Sequence, residues 1–278
     1  MSGLQGLIVV LWLSCSFNSR QGETRVAKKS GPYVGVTGFM SRAEISEALS
    51  IVPQRSTHRL MVGILMSSKT LAGQQNKWPS RYPKKESVAD IFVDDPRALN
   101  LIHYNTDHRE TLFTQLAQIT ELAGPYLDGF QLNIAWPQIS QLEDYRATHP
   151  EKFILLQIGS RAMAEVESTD DFAEFVGAYL HVIDAVLIDS SGGKGEPLNA
   201  EKAADYLWSI QYYPIGLGVA GGLGPRTLHL IDPLVRDFRS RLSIDAEGKL
   251  RTKTDDVLCL DAMKSYLAGS FLILGNMT

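Results

Sequence analysis

Apolar, β-branched runs and helical patterns take turns along this chain, and the count of those turns constrains the fold more than any single residue. The runs lie at Tyr33–Thr37, Leu60–Met66, Asn100–Tyr104, Gly129–Ile134, Phe153–Ile158, Ala185–Ile188, Ile215–Val219 and Leu242–Ile244. Apolar residues at helical spacing predict helices over Ser41–Ile51, Arg109–Ala123, Pro137–Thr148, Asp170–Leu180, Ala200–Ile210, Pro225–Val235 and Asp255–Ala268. The weakest pattern, Lys85–Ala98, must supply the helix between the second and third runs. Ser41-Arg42-Ala43-Glu44 has the form of a capping box, and Pro225 stands where a first-turn proline is tolerated. Eight strand–helix units within residues 31–278 match an α/β chain folded as a (β/α)8 TIM barrel, for which about 250 residues is usual. An open doubly wound sheet is the alternative, but no Gly-x-Gly-x-x-Gly fingerprint follows the first run.

Composition then narrows function by exclusion. With 27 basic and 31 acidic side chains the net charge is −4, so no overall basic field invites nucleic acid. Cys15 and Cys259 cannot make a disulfide framework, and the six histidines are scattered singly. Neither a metal nor any other cofactor is expected. Gly6 to Phe17 is an apolar run too short to span a bilayer. It has the length of a signal-peptide core, yet Met1 to Gln5 carries no Lys or Arg side chain. A misassigned start or a tail packed on the domain explains it as well. Polar residues 18–30 read as a linker, leaving one domain over 31–278. That domain is expected in the cytoplasm unless the leading segment directs export. Its expected partner is a small-molecule substrate, with no stable membrane insertion and with a monomer or homodimer as the assembly.

Barrels of this kind carry function where their strands run out. That rim reads Thr37, Ser67, Asn105, Asn133, Gln157, Asp189, the Gly221-Gly222 pair and Asp245. One polar strand end means little, since strand ends meet solvent anyway. A ring of them converging on one face points to a ligand site. The one long connection, Lys69 to Lys85, leaves the same face and has the character of a lid. Glycines in Ile188 to Gly195 and in Val219 to Pro225 allow the backbone to approach a ligand and present N–H groups to an anion.

These residues carry a resemblance. Leu187-Ile188-Asp189 followed by Gly192-Gly193-Lys194-Gly195, together with Ala220-Gly221-Gly222-Leu223-Gly224-Pro225, is similar to the phosphoribosylanthranilate isomerase family of tryptophan biosynthesis. Asp128-Gly129-Phe130-Gln131-Leu132-Asn133 and Ser80-Arg81-Tyr82 support it, and the likeness runs over residues 33–270. It implies a (β/α)8 barrel that isomerises a phosphorylated aminosugar: one acid protonates the ring oxygen, one base removes a carbon-bound proton, and donors hold phosphate and carboxylate. Asp189 then stands as the general acid and Arg81 as the partner of the substrate carboxylate. Gln131, Asn133, Gly193, Lys194, Gly195, Gly221 and Gly222 line the place of substrate and phosphate.

Two departures qualify the resemblance. Thr37 stands where the family has its basic cysteine, and a hydroxyl is far too weakly acidic for that work. After the eighth run the family's small residues are replaced by Asp245-Ala246-Glu247-Gly248, whose two carboxylates would repel a phosphate. One reading is a diverged isomerase for another sugar-like ligand, with Asp189 as the acid or base. A second recruits Asp245 as the base, and a third is a non-catalytic binding barrel. The weakest puts a hard cation among Asp189, Asp245 and Glu247. His103 and His181 read as packed or hydrogen-bonded residues. Cys259 reads as a small core residue in an apolar helical stripe with Val257, Leu258, Leu260 and Met263, and Trp78 as a seal or stacking surface in the lid.

Overall fold

The computed structural model describes residues 31–189 and 197–274. The apolar leading segment with Cys15, and the Gly192, Gly193, Lys194 and Gly195 positions after the sixth strand, lie outside the described residues. The strands are β1 (Tyr33–Thr37), β2 (Arg59–Ser67), β3 (Ala98–Asn105), β4 (Gly129–Leu132), β5 (Phe153–Ile158), β6 (Ala185–Asp189), β7 (Gly216–Ala220) and β8 (Leu242–Ala246). Each pairs in parallel with the next, and β8 pairs with β1 to close the barrel. Strands in such a sheet are covered on both faces, which is why they read as unbroken apolar runs rather than as alternating ones.

The inward faces of these strands pack Tyr33, Met61, Leu99, Leu101, Phe153, Leu155, Ala185, Leu187 and Ala220 against one another. Their outward faces pack against helices α1 (Arg42–Leu49), α2 (Val88–Ile91), α3 (Leu112–Ala123), α4 (Ile139–Thr148), α5 (Thr169–Tyr179), α6 (Ala200–Ser209), α7 (Asp232–Phe238) and α8 (Leu260–Leu274). The capping box at α1 forms as expected. The Ser41 hydroxyl accepts from the Glu44 amide, and the Glu44 carboxylate accepts from the Ser41 and Met40 amides.

Three elements differ from expectation. The weak second helix shrinks to a 3-10 turn at Lys85–Ser87 and the single turn of α2, because Pro83 and Pro96 bracket the segment and neither suits a helix interior. Pro225 sits in a turn; a 3-10 turn at Leu228–Ile231 intervenes, and Pro233 takes the first-turn position of α7. The last helix begins at Leu260 rather than Asp255, because 251–258 fold back on themselves with Arg251 bridged to Leu258. Cys259 thus precedes α8 and is partly exposed, while Val257 and Leu260 are exposed and only Leu258 and Met263 of that stripe are buried. Among the described residues no helix is long and apolar enough to cross a membrane.

Candidate active site at the barrel mouth

Side chains alternate across a strand, so the last inward position of each strand faces the mouth. Five of these meet in one hydrogen-bonded chain. Thr37 Oγ1 lies 3.1 Å from each Asp245 carboxylate oxygen and donates its one proton to that pair. Gln131 Nε2 donates to Asp245 Oδ2 at 3.1 Å and to Gln157 Oε1 at 2.9 Å. Gln157 Nε2 donates to Asp189 Oδ2 at 2.9 Å. The chain thus runs from β1 through β8, β4 and β5 to β6, and all five residues are buried. Asp189, Ala220 and Asp245 are register partners on three consecutive strands, so the two acids flank a methyl group at one height.

Backbone glycines make room for this arrangement. A Cβ on Gly35 would come within 2.7 Å of Asp245 Oδ1, and one on Gly63 within 2.5 Å of Thr37 Oγ1. At either position an added methyl would force a neighbour to shift: Asp245 and Met61 at Gly35, Thr37 at Gly63.

Burial sets the protonation of Asp245. Removal from water pushes its pKa up to about 7, the hydrogen bonds from Gln131 and Thr37 pull the other way, and the charges of Glu247 and Asp189 add to the rise. At neutral pH this carboxyl is poised to give or take a proton. Thr37, by contrast, is a donor to Asp245 and contributes no base.

A second set of charges closes the rim. Arg81, from the long connection after β2, donates from Nε and Nη2 to Asp256 at 2.7 and 2.8 Å and from Nη1 to Glu247 at 2.7 Å. Buried Arg251 ties the same segment down, donating to the backbone carbonyls of Ser80, Gly38 and Asp256. Arg81 also lies over the Trp78 ring, 5.5 Å from its centroid. The guanidinium expected to meet a substrate carboxylate therefore already holds two carboxylates of the protein. Glu247 is accordingly paired at the rim, though its charge still acts on Asp245. Glu247 turns to Arg81 rather than joining Asp189 and Asp245, and among the described residues no group of three His, Cys, Asp or Glu could hold a metal.

The remaining rim positions divide. Ser67 caps the helical turn Ser68–Leu71 and donates to Asn76 Oδ1, and Asn105 is exposed and donates to the Asn133 carbonyl. Asn133 lies just past the end of β4, half-buried and outside the hydrogen-bonded chain. Gly221 and Gly222 take φ of 111° and 60°, conformations that side chains resist, and the Gly222 carbonyl accepts from the Thr227 hydroxyl. His181 is exposed and hydrogen-bonded to Glu143, the second of the two readings expected for it. His103, on β3, is buried in the mouth, and among the described residues its Nδ1 has no hydrogen-bond partner. Sequence reasoning missed Arg251 and Asp256 altogether. Their only signal is a charged cluster after β8, which any solvated loop shares.

No protein-family model matches the chain, and no curated protein is a recognisable relative. Solved structures do match it. The tryptophan synthase alpha subunit of Legionella pneumophila str. Paris aligns at 12% identity and TM-score 0.56, over 92% of this chain and 98% of that one. The catalytic domain of a hyperthermophilic chitinase from Pyrococcus furiosus aligns at 13% identity and TM-score 0.53, over 90% and 98%. Catalytic site mutants of active domain 2 of a thermostable chitinase from Pyrococcus furiosus, complexed with chito-oligosaccharides, align at 13% identity and TM-score 0.52, over 87% and 96%. At such identities the likeness is one of fold: this chain is a TIM barrel, and the likeness does not single out phosphoribosylanthranilate isomerase.

Proposed function

We propose that this barrel is a cytoplasmic acid–base isomerase of a small sugar-like or sugar-phosphate-like molecule, with Asp189 and Asp245 as its two proton carriers. The observation that carries the reading is Asp245: a buried carboxyl with a pKa of about 7, joined through Gln131 and Gln157 to a second carboxyl at the same height of the mouth. An isomerisation needs one group to deliver a proton to a substrate oxygen and another to accept one from a neighbouring carbon. The electron pair of the broken C–H bond moves within the substrate, so no oxidant or reductant enters. Two acids on opposite sides of Ala220 have the placement for that exchange, and a pKa near ambient pH is where general acid–base catalysis is most effective. Asp245 takes over the work that the cysteine does in the family this sequence resembles, and Thr37 holds it in place.

The chitinase structures add that a barrel of this kind accommodates a sugar in its own case; what argues for one here is the buried amide and hydroxyl lining. The test is solvent exchange. In D2O the protein should wash deuterium into the carbon next to the carbonyl or hemiacetal centre of a panel of aldoses, aminosugars and their phosphates, read by proton NMR. Asp189→Asn and Asp245→Asn should each slow it by roughly 10²-fold or more. Ligands that bind in the mouth of the parent with no exchange in any of them would favour a non-catalytic binding barrel instead.

A further inference from the structure

Two polar atoms inside the mouth lack partners among the described residues, and they belong to residues paired on neighbouring strands. His103 on β3 and Gln131 on β4 are register partners in adjacent strands, which run about 4.8 Å apart. Both face inward: Gln131 by its bonds across the barrel, His103 by sharing the parity of Leu99 and Leu101. His103 Nδ1 and Gln131 Oε1 are each cut off from solvent and unpaired.

The unpaired oxygen of Gln131 follows from the carboxylate at the far end of the chain. Asp189 accepts, so the Gln157 amide must aim its NH2 there and turn its oxygen to Gln131. That oxygen needs a donor, so Gln131 turns its NH2 toward Gln157 and Asp245. Its own oxygen is left over, as a pure acceptor. Burial holds the His103 imidazole below its ordinary pKa, against the pull of Glu247 and Asp189, so the ring is neutral and carries one N–H.

We infer that His103 and Gln131 form a hydroxyl-binding subsite, so that the mouth takes an uncharged polyol group beside its two acids. With the His103 proton on Nδ1, one hydroxyl completes both atoms by accepting from the imidazole and donating to the amide oxygen. A phosphate dianion or carboxylate has no proton for Gln131, and an ammonium cannot accept from His103. Leaving either buried atom unpaired is costly, and that cost is what makes such a site discriminate. The inference rests on the reading of the mouth as a small-molecule site and goes further by naming the group bound there.

The experiment is an NMR titration of histidine-¹⁵N-labelled, amide-labelled protein with ribose, ribose 5-phosphate and tetrahydrofuran. Ribose should shift the His103 ring nitrogens and fix the Nδ1–H tautomer, while tetrahydrofuran, which has no hydroxyl, should leave them unmoved. His103→Phe should weaken ribose binding roughly tenfold, and His103→Asn, which keeps a donor, should recover part of it. The tautomer readout uses the unaltered protein, so it stands even if a variant folds poorly. Ribose shifting the amides around Ala220 and Asp245 with His103 unmoved and His103→Phe unaffected would overturn the subsite and leave the proposed function standing. Ribose 5-phosphate displacing ribose with its phosphate against His103 would overturn the uncharged class. No probe binding in the mouth would overturn both.

Discussion

Inside the mouth carboxylates are held by amides and a hydroxyl; at the rim, two residues further along the chain, they are held by a guanidinium. Asp245 and Glu247 are near neighbours in sequence, yet they belong to different electrostatic regimes. Asp245 is surrounded by neutral donors, which stabilise its charge less than burial destabilises it, so its proton stays available. Glu247 and Asp256 meet Arg81 head-on, and Arg81 holds the Asp256 carboxyl below its usual range. A neutral scaffold suits a group that must titrate, and a charged one suits a group that must stay ionised and hold a loop.

The largest test of this contrast is Asp245→Asn. If the buried acid is a proton carrier, solvent exchange should fall by roughly 10²–10⁴-fold. Its effect on stability has a definite sign. Below about pH 4 both folded and unfolded chains hold the proton, and the group contributes nothing. As pH rises toward 7 the unfolded carboxyl ionises first, the folded chain binds more protons, and stability falls. Urea unfolding at about pH 4 and pH 8 should show the balance between variant and parent moving toward the variant by up to about 4 kcal/mol. A balance independent of pH would mean that the carboxyl is ionised and solvated after all.

Gly35→Ala probes the space that the interior network occupies. The added methyl meets both Asp245 Oδ1 and Met61 Cε at 2.7 Å, so it should cost about 1–3 kcal/mol in chemical denaturation. The loss should shrink when Asp245→Ala is made in the same chain. Additive losses would place the strain at Met61 alone.

The strands were legible because a parallel barrel buries both strand faces, and runs such as Leu60–Met66 show it directly. Counting strand ends also finds four members of the hydrogen-bonded chain, Thr37, Gln157, Asp189 and Asp245, and the motif Asp128–Asn133 that carries the family resemblance supplies the fifth, Gln131. What strand counting cannot reach is set by loops. Arg81 meets Glu247 and Asp256 across 166 and 175 residues of sequence, through the path of two irregular segments. The expected repulsion between Glu247 and a phosphate was argued without that pairing, which strand counting does not reveal. The late start of α8 has the same origin, since the fold-back around Arg251 uses residues whose spacing also suits a helix.

At the rim the expected effects are smaller. Arg81→Met should cost about 1 kcal/mol, because the pairs are a quarter to a third exposed and screened. The variant should also lose less stability than the parent on acidification. The Asp256 carboxyl would no longer be held down, so the stability that the parent loses as pH falls through that depressed pKa would already be gone. The smallest effect belongs to Glu247→Gln: by removing a charge that favours protonated Asp245, it should lower the apparent pKa of any exchange reaction by a few tenths of a unit, read from its pH–rate profile. A shift as large as that of an interior substitution would mean that rim and interior form one network rather than two.

Thr37 and Asp245, in contact across the closing seam of β1 and β8, are 208 residues apart in the chain. The barrel's first strand therefore waits for its last before the site exists at all. A chain still emerging from the ribosome, or a fragment ending after β7, holds Asp189, Gln131 and Gln157 but lacks Asp245. Such long-range closure is slow to nucleate. It also makes chemistry a proof of completeness: turnover that depends on Asp245 can come only from molecules whose two ends have met.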